Sequence, residues 1–238
     1  MVSCGERFPD PERDEFDKTV LIEEGTGTWC VNCPRAASHV EELLINLPED
    51  SVIVLALHSS APDTFATAET EARVKTLGIS AFPTIIFDGT EKAADDKVST
   101  LESMYSEHHT KLGSPLKITL TSSITSDSVI YDISVNVSSK LHSSFDGVLR
   151  IALVEDSVPF KNEMWDGLSH VVRRLPESTS TDNLTFEIGQ TYTFRRALPR
   201  DASWGFPLTA VVWVEKEDIE VVQAASSKIS LASLTQAK

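Results

Sequence analysis

Two cysteines three residues apart carry the clearest chemistry in this chain, in Trp29-Cys30-Val31-Asn32-Cys33-Pro34. From Pro34 onward, Ala37, Val40, Leu43, Leu44 and Leu47 recur at helical spacing, and Pro34 suits a first helical turn because its missing N–H costs nothing there. The pair is therefore expected at a helix N-terminus, where unpaired backbone N–H groups and the helix dipole favour thiolate over thiol. A free cysteine titrates near ~8.5, and such a setting can bring it to ~3.5–7.5. Cys30 would then be the attacking sulfur. Cys33, one turn inside the helix, would be more buried and would resolve the mixed disulfide that Cys30 forms with a substrate. Trp29 would pack beside the site.

C-x-x-C is also metal-ligand spacing. A zinc site wants two further ligands, however, and no second C-x-x-C or paired Cys/His motif follows. His39 and His58 are single residues without the usual spacing. No metal and no other cofactor is expected. A permanently closed structural disulfide remains as the alternative to redox chemistry.

The rest of the composition bounds the class. Of 238 residues, 41% are apolar and 24% charged, as in soluble globular proteins, and no apolar run approaches the ~20 residues a bilayer crossing needs. A formal charge of −15 argues against nucleic acid as a partner, since phosphate binding runs on Lys/Arg neutralisation. The third cysteine, Cys4, follows Val2-Ser3 and precedes a polar stretch to residue 18 that reads as a tether. Val2-Ser3-Cys4 is similar to the end of a bacterial lipoprotein signal, which makes Cys4 a candidate lipid-attachment site. The other reading is an inert cysteine in a disordered tail.

The elements that must position the pair follow from patterning. Residues 19–22 read as a buried strand, 51–57 as a strand covered on both faces, and 67–77 as a short helix ended by Gly78. A strand at 85–87 with a turn at Asp88-Gly89 and a helix from about 95 to 112 complete the order β-α-β-α-β-β-α. After Gly113-Ser114-Pro115 only strand-like segments appear, about seven, which predicts an antiparallel sandwich of immunoglobulin-like type. The expected organisation is a tether over 1–18, an α/β domain over 19–113 and a β-sandwich over 114–238.

Other candidates have structural explanations. His58, at a strand end, is expected to be hydrogen-bonded, and His108-His109 to cap a helix. Trp165, His170, Arg173 and Arg174 could line a groove or simply pack across strands. Asn183-Leu184-Thr185 is a glycosylation sequon only in a eukaryotic secreted protein.

Residues 19–112 resemble the thioredoxin superfamily in three places together: the strand leading into Trp-Cys-x-x-Cys and a helix, the element order, and Gly78-Ile79-x-x-Phe82-Pro83-Thr84 before a hairpin. The resemblance implies an α/β thioredoxin-like fold with a cis bond at Pro83, which would lie against the cysteine pair, and with Phe82 offering backbone groups to a substrate peptide. The family's buried acid, six residues before the first cysteine, falls on Glu24, which would move a proton to or from Cys33. The whole chain is similar to bacterial envelope lipoproteins, often labelled outer-membrane proteins, with a thioredoxin-like domain before a β-sandwich. Carrying that similarity are residues 21–34, Ala56-Leu57-His58, Val154-Glu155-Asp156 and His170-Val171-Val172-Arg173. The expectation is a thiol–disulfide oxidoreductase of the cell envelope acting on protein thiols or disulfides, with a C-terminal module for partner binding or spacing. The alternative is a non-catalytic binding or adhesion protein with a stable disulfide. Val31-Asn32 matches neither the Gly-Pro of familiar reductants nor the Pro-His of familiar oxidants and is compatible with either direction of electron flow.

Overall fold

A computed structural model describes residues 16–177 and 182–230. Cys4 and its lipid-anchor reading lie outside the described residues. The first half runs β1 (Val20–Thr26), α1 (Cys33–Ile45), β2 (Val52–His58), α2 (Ala68–Thr76), β3 (Thr84–Phe87), β4 (Glu91–Lys92) and α3 (Val98–Ser106). A π-helical segment, Glu107–Leu112, continues α3 to Gly113, whose φ of 63° turns the chain out of the helix. The second half is all strand: β5 (Leu116–Ile124), β6 (Ser128–Val137), β7 (Phe145–Glu155), β8 (Val158–Lys161), β9 (Asp166–Leu168), β10 (Val171–Arg174), β11 (Asn183–Phe186), β12 (Thr191–Pro199), β13 (Leu208–Glu215) and β14 (Val221–Ile229). Among the described residues no helix is long and apolar enough to cross a membrane.

The pairing of these strands corrects the expected α/β thioredoxin-like domain followed by a separate immunoglobulin-like sandwich. The protein is β-rich, 45% strand against 16% helix. One nine-stranded sheet runs through both halves in the order β14-β13-β7-β10-β2-β1-β3-β4, with β11 also on β7. The physical reason lies at the edge of β2. An unpaired edge beside buried residues would leave backbone groups unsatisfied. Here β10 pairs with that edge, Val171 opposite Ala56, and the Ala56 N–H donates to the His170 carbonyl at 2.8 Å. The other side of β10 pairs with β7. A three-stranded sheet, β12-β6-β5, closes the second core against this sheet, with Leu116, Val129, Tyr131, Ile133 and Val135 meeting Leu149, Leu153, Ala210 and Val212.

Buried charges lock the halves together. Arg73 of α2 reaches Glu23 of β1 at 2.7 Å and Glu215 of β13 at 2.9 Å, and Arg150 of β7 meets the same Glu215 at 2.8 Å. At the other end, Asp88 accepts from the Leu21 N–H and from His108, pairs with Lys18 at 3.0 Å, and accepts the Val221 N–H through its own carbonyl. Gly89, with φ of 77°, sits so close behind it that a Cβ would collide with the Ile219 carbonyl oxygen. Gly89→Ala is accordingly expected to destabilise the protein by on the order of 3 kcal/mol, combining left-handed strain with a backbone clash. Gly78 has φ of 64° but open space around it, so Gly78→Ala should cost only about 1 kcal/mol. Urea unfolding midpoints of the two variants measure the difference.

Candidate functional site

The cysteine pair stands where β1 gives way to α1. The chain turns through Gly27 and Thr28, and the Cys30 N–H donates to the Gly27 carbonyl at 3.0 Å. A side chain on Gly27 would come within 2.8 Å of the Trp29 indole, so glycine lets that ring fold back over the turn. Trp29 Nε1 donates to the Ser59 and Ser60 carbonyls at 3.1 and 3.2 Å, and its ring meets Phe82 edge-on at 5.3 Å. The turn is pinned from below by Asp63. Its carboxylate accepts from the Thr28 N–H at 2.7 Å, the Phe65 N–H at 2.9 Å and His58 Nδ1 at 2.8 Å. Burial opposes charge on Asp63, but the hydrogen bond and charge of His58 and the two backbone N–H groups outweigh it and hold the carboxyl below its usual range. His58 is thus a hydrogen-bonded structural residue.

Cys30 and Cys33 are joined by a disulfide, with their Cα atoms 5.4 Å apart. Cys33 opens α1, Pro34 follows it, and no side chain caps the helix at Asn32. The first-turn N–H groups therefore keep their unmet demand for an acceptor, which a thiolate at Cys30 could meet. Phe82 and Pro83 are half-buried, the Phe82–Pro83 bond is cis, and Phe82 packs against the cluster containing both cysteines.

Glu24 alternates along β1 with Val20 and Ile22, which pack beneath α1 and α3, so its side chain lies on the face that α1 covers. It is 3% exposed, and Oε1 has no hydrogen-bond partner among the described residues. Burial raises its pKa to about 8. The charge of His170 pulls the other way, and Glu41 and Asp96 add to the rise. At neutral pH Glu24 is therefore a carboxylic acid with a proton to give.

Patterning did not place the second half of the chain at this site. The β8–β9 hairpin lies over the cysteines: Val158, Trp165 and Leu168 form one buried cluster with Cys30, Cys33 and Val171, flanked by Phe65, Phe160 and Met164. Under it Cys30 is only 5% exposed and Cys33 fully buried. His170, which precedes β10, is held between Asp156 at 3.1 Å and Glu41 of α1 at 3.2 Å. Burial works against its charge, yet these two carboxylates raise its pKa to about 9, so it is an imidazolium at neutral pH. A cleft of about 280 Å³ between the end of α1 and strands β7 and β13 reaches Asp156 and His170. The signals for both features were in the sequence, in Trp165 and His170, but nothing local said that they meet Cys33 and Glu41. Among the described residues no group of three His, Cys, Asp or Glu side chains could hold a metal ion.

No protein-family model matches the chain, and no curated protein matches it. Among solved structures, HBP35 of Porphyromonas gingivalis is similar over 95% of this chain and 78% of its own, with a TM-score of 0.73 at 17% sequence identity. That likeness concerns the fold, and it spans both halves as one unit. A β-glucosidase from Kluyveromyces marxianus and another from Listeria innocua match about half the chain, at TM-scores of 0.29 and 0.30 and 11% identity, covering 14% and 18% of their own lengths. At that level they carry no argument.

Proposed function

We propose that the protein is a thiol–disulfide oxidoreductase acting on protein thiols and disulfides of the bacterial cell envelope. The observation that carries this reading is the joined Cys30–Cys33 pair at the mouth of an uncapped helix, with a buried, uncharged Glu24 on the face beneath that helix. The motif resemblance at residues 29–34 and 78–84 supports the same chemistry, and the β-rich second half would bind a partner or space the redox site.

In the oxidised protein a substrate thiolate attacks Cys30 Sγ. The Cys30–Cys33 bond breaks, and its electron pair leaves on Cys33, which takes a proton from Glu24. A second substrate thiolate then attacks the substrate sulfur of the mixed disulfide. The substrate disulfide forms and Cys30 leaves as a thiolate stabilised by the helix N-terminus. Run backwards, the same steps reduce a substrate disulfide, with Glu24 accepting the Cys33 proton.

A second reading, a non-catalytic protein with a structural disulfide, draws support from the burial of Cys30. The reduction potential separates the two. Oxidoreductase pairs cover roughly −270 to −120 mV, and structural disulfides lie below about −300 mV. Equilibration of the full chain with dithiothreitol and glutathione buffers is expected to give a value in the upper range. A value below that range, with no mixed disulfide captured by Cys33→Ser, would sink the enzyme reading.

A further inference from the structure

We propose that the β8–β9 hairpin is a displaceable cover seated in the substrate groove, and that it stands in for an extended substrate segment with apolar or aromatic side chains beside its cysteine. The inference rests on the oxidoreductase reading and names the class of chain that the site accepts.

The hairpin is built as a separate piece. Its two strands pair with each other and with neither large sheet, and their register shifts between Val158 and Lys161. Its flanks turn through left-handed backbone at Ser157 before β8 and His170 before β10, each with φ of 57°, and Gly167 inside β9 has φ of 101°. The outward face is solvated, with Lys161 and Asp166 paired in the open at 3.0 Å. Such an exposed pair contributes little to holding the hairpin down.

Among the described residues, what seats it is an apolar face and one side-chain hydrogen bond. Val158, Trp165 and Leu168 pack on the cysteine cluster, and Phe160 stacks edge-on against Phe65 at 5.5 Å. Asn162, in the hairpin turn, donates from Nδ2 to the Thr28 carbonyl at 3.2 Å. Its Oδ1 accepts the Met164 and Trp165 N–H groups, so this one side chain shapes the turn and latches it to the loop that carries Cys30.

The closed position is not fully satisfied. Trp165 is 8% exposed, and its Nε1 has no partner among the described residues. A buried donor without an acceptor is a penalty that water relieves once the indole swings out. The vacated floor would be Phe65, Phe82, Ala37 and the disulfide, an apolar surface with a backbone carbonyl at Thr28 free to accept from an incoming peptide N–H. An apolar-flanked, extended cysteine segment meets those terms, whereas a charged one would leave its groups desolvated and unpaired.

Oxidised protein would be mixed with cysteine peptides flanked either by Phe/Leu or by Glu/Ser, and the loss of the Cys30–Cys33 bond followed by quenched-flow alkylation. The wild type is expected to react at least several-fold faster with the apolar peptide. Asn162→Ala, which removes the latch, should speed that reaction roughly five- to tenfold, the equivalent of one net hydrogen bond. Phe160→Ser, which removes an apolar contact outside the buried cluster, should move the rate the same way, so that the result does not depend on one variant folding. Equal rates for the two peptides, or rates unmoved by both substitutions in folded protein, would overturn the proposal. The reduction potential of the same preparations tells the two failures apart. A potential in the oxidoreductase range with unmoved rates defeats the cover alone, and one below about −300 mV defeats the redox reading and the cover with it.

Discussion

Cys30→Ser is expected to abolish thiol–disulfide exchange, a loss of about 10³-fold or more, while Cys33→Ser should accumulate a mixed disulfide through Cys30. The asymmetry follows from where the sulfurs sit. Cys30 precedes α1, next to first-turn N–H groups that no side chain caps, and keeps a small opening to solvent. Cys33 is the first helical residue and has no exposed surface, so an incoming thiolate reaches only its partner. With serine at 33 the second step has no resolving sulfur, and the adduct persists until an external thiol removes it. Mass spectrometry of alkylated, non-reduced samples reads both results. Adducts trapped by Cys30→Ser through Cys33 would reverse the assigned roles.

The placement of the two cysteines was legible in the sequence because it is local. A proline one residue past a C-x-x-C and a helical apolar stripe are enough to place both cysteines at a helix start, and β1, β2 and α1 follow from runs of a few residues. The architecture was not legible for the opposite reason. Whether the strand at 171–174 belongs to a sandwich or joins the sheet of the first half depends on Val171 finding Ala56 across more than a hundred residues of chain. β10 has four residues, and its sequence, Val-Val-Arg-Arg, would suit either sheet. The hairpin is a similar case. Trp165 reads as a residue that lines a groove or packs across strands, and only the fold brings it, with Met164, onto Cys30 and Cys33. The π-helical end of α3 shows a smaller version of the same limit. An apolar pattern through 112 predicts one helix, but it does not register the change of hydrogen-bonding that begins at Glu107.

The long-range contacts also decide how the site answers to pH, and here the largest stability effect is expected. Glu24 holds its proton to about pH 8 in the folded protein, against 4.5 for an unperturbed glutamate. Between those values the unfolded chain has lost the proton that the folded chain retains. Stability associated with Glu24 is therefore full below about pH 4.5 and declines as pH rises through 8. At about 1.4 kcal/mol for each tenfold in proton affinity, the decline is on the order of 5 kcal/mol. His170 adds to it with the same sign. Its folded value of about 9 lies above the ordinary 6.5, so the stability from its pairs with Asp156 and Glu41 is present below 6.5 and fades as pH passes 9. The carboxyls held below their usual range, Asp63, Asp156 and Glu41 among them, act in the opposite sense but only in acid, as pH falls through their depressed values. From pH 5.5 to 9 Glu24 and His170 are thus expected to dominate, joined with the same sign by His108, which burial would lower but which Asp88 and Glu91 hold above its ordinary value. Glu24→Gln should remove the larger part of the slope, leaving the variant more stable than the wild type at pH 9. His170→Asn, which tolerates the φ of 57° at that position, should remove a further part of the slope at the alkaline end. Urea unfolding of the oxidised proteins at pH 5.5, 7 and 9 measures both, and a Glu24→Gln variant with the wild-type slope would show that Glu24 ionises normally. In that case Glu24 would hold no proton for Cys33 at neutral pH, and the departing Cys33 sulfur would have to take its proton from solvent.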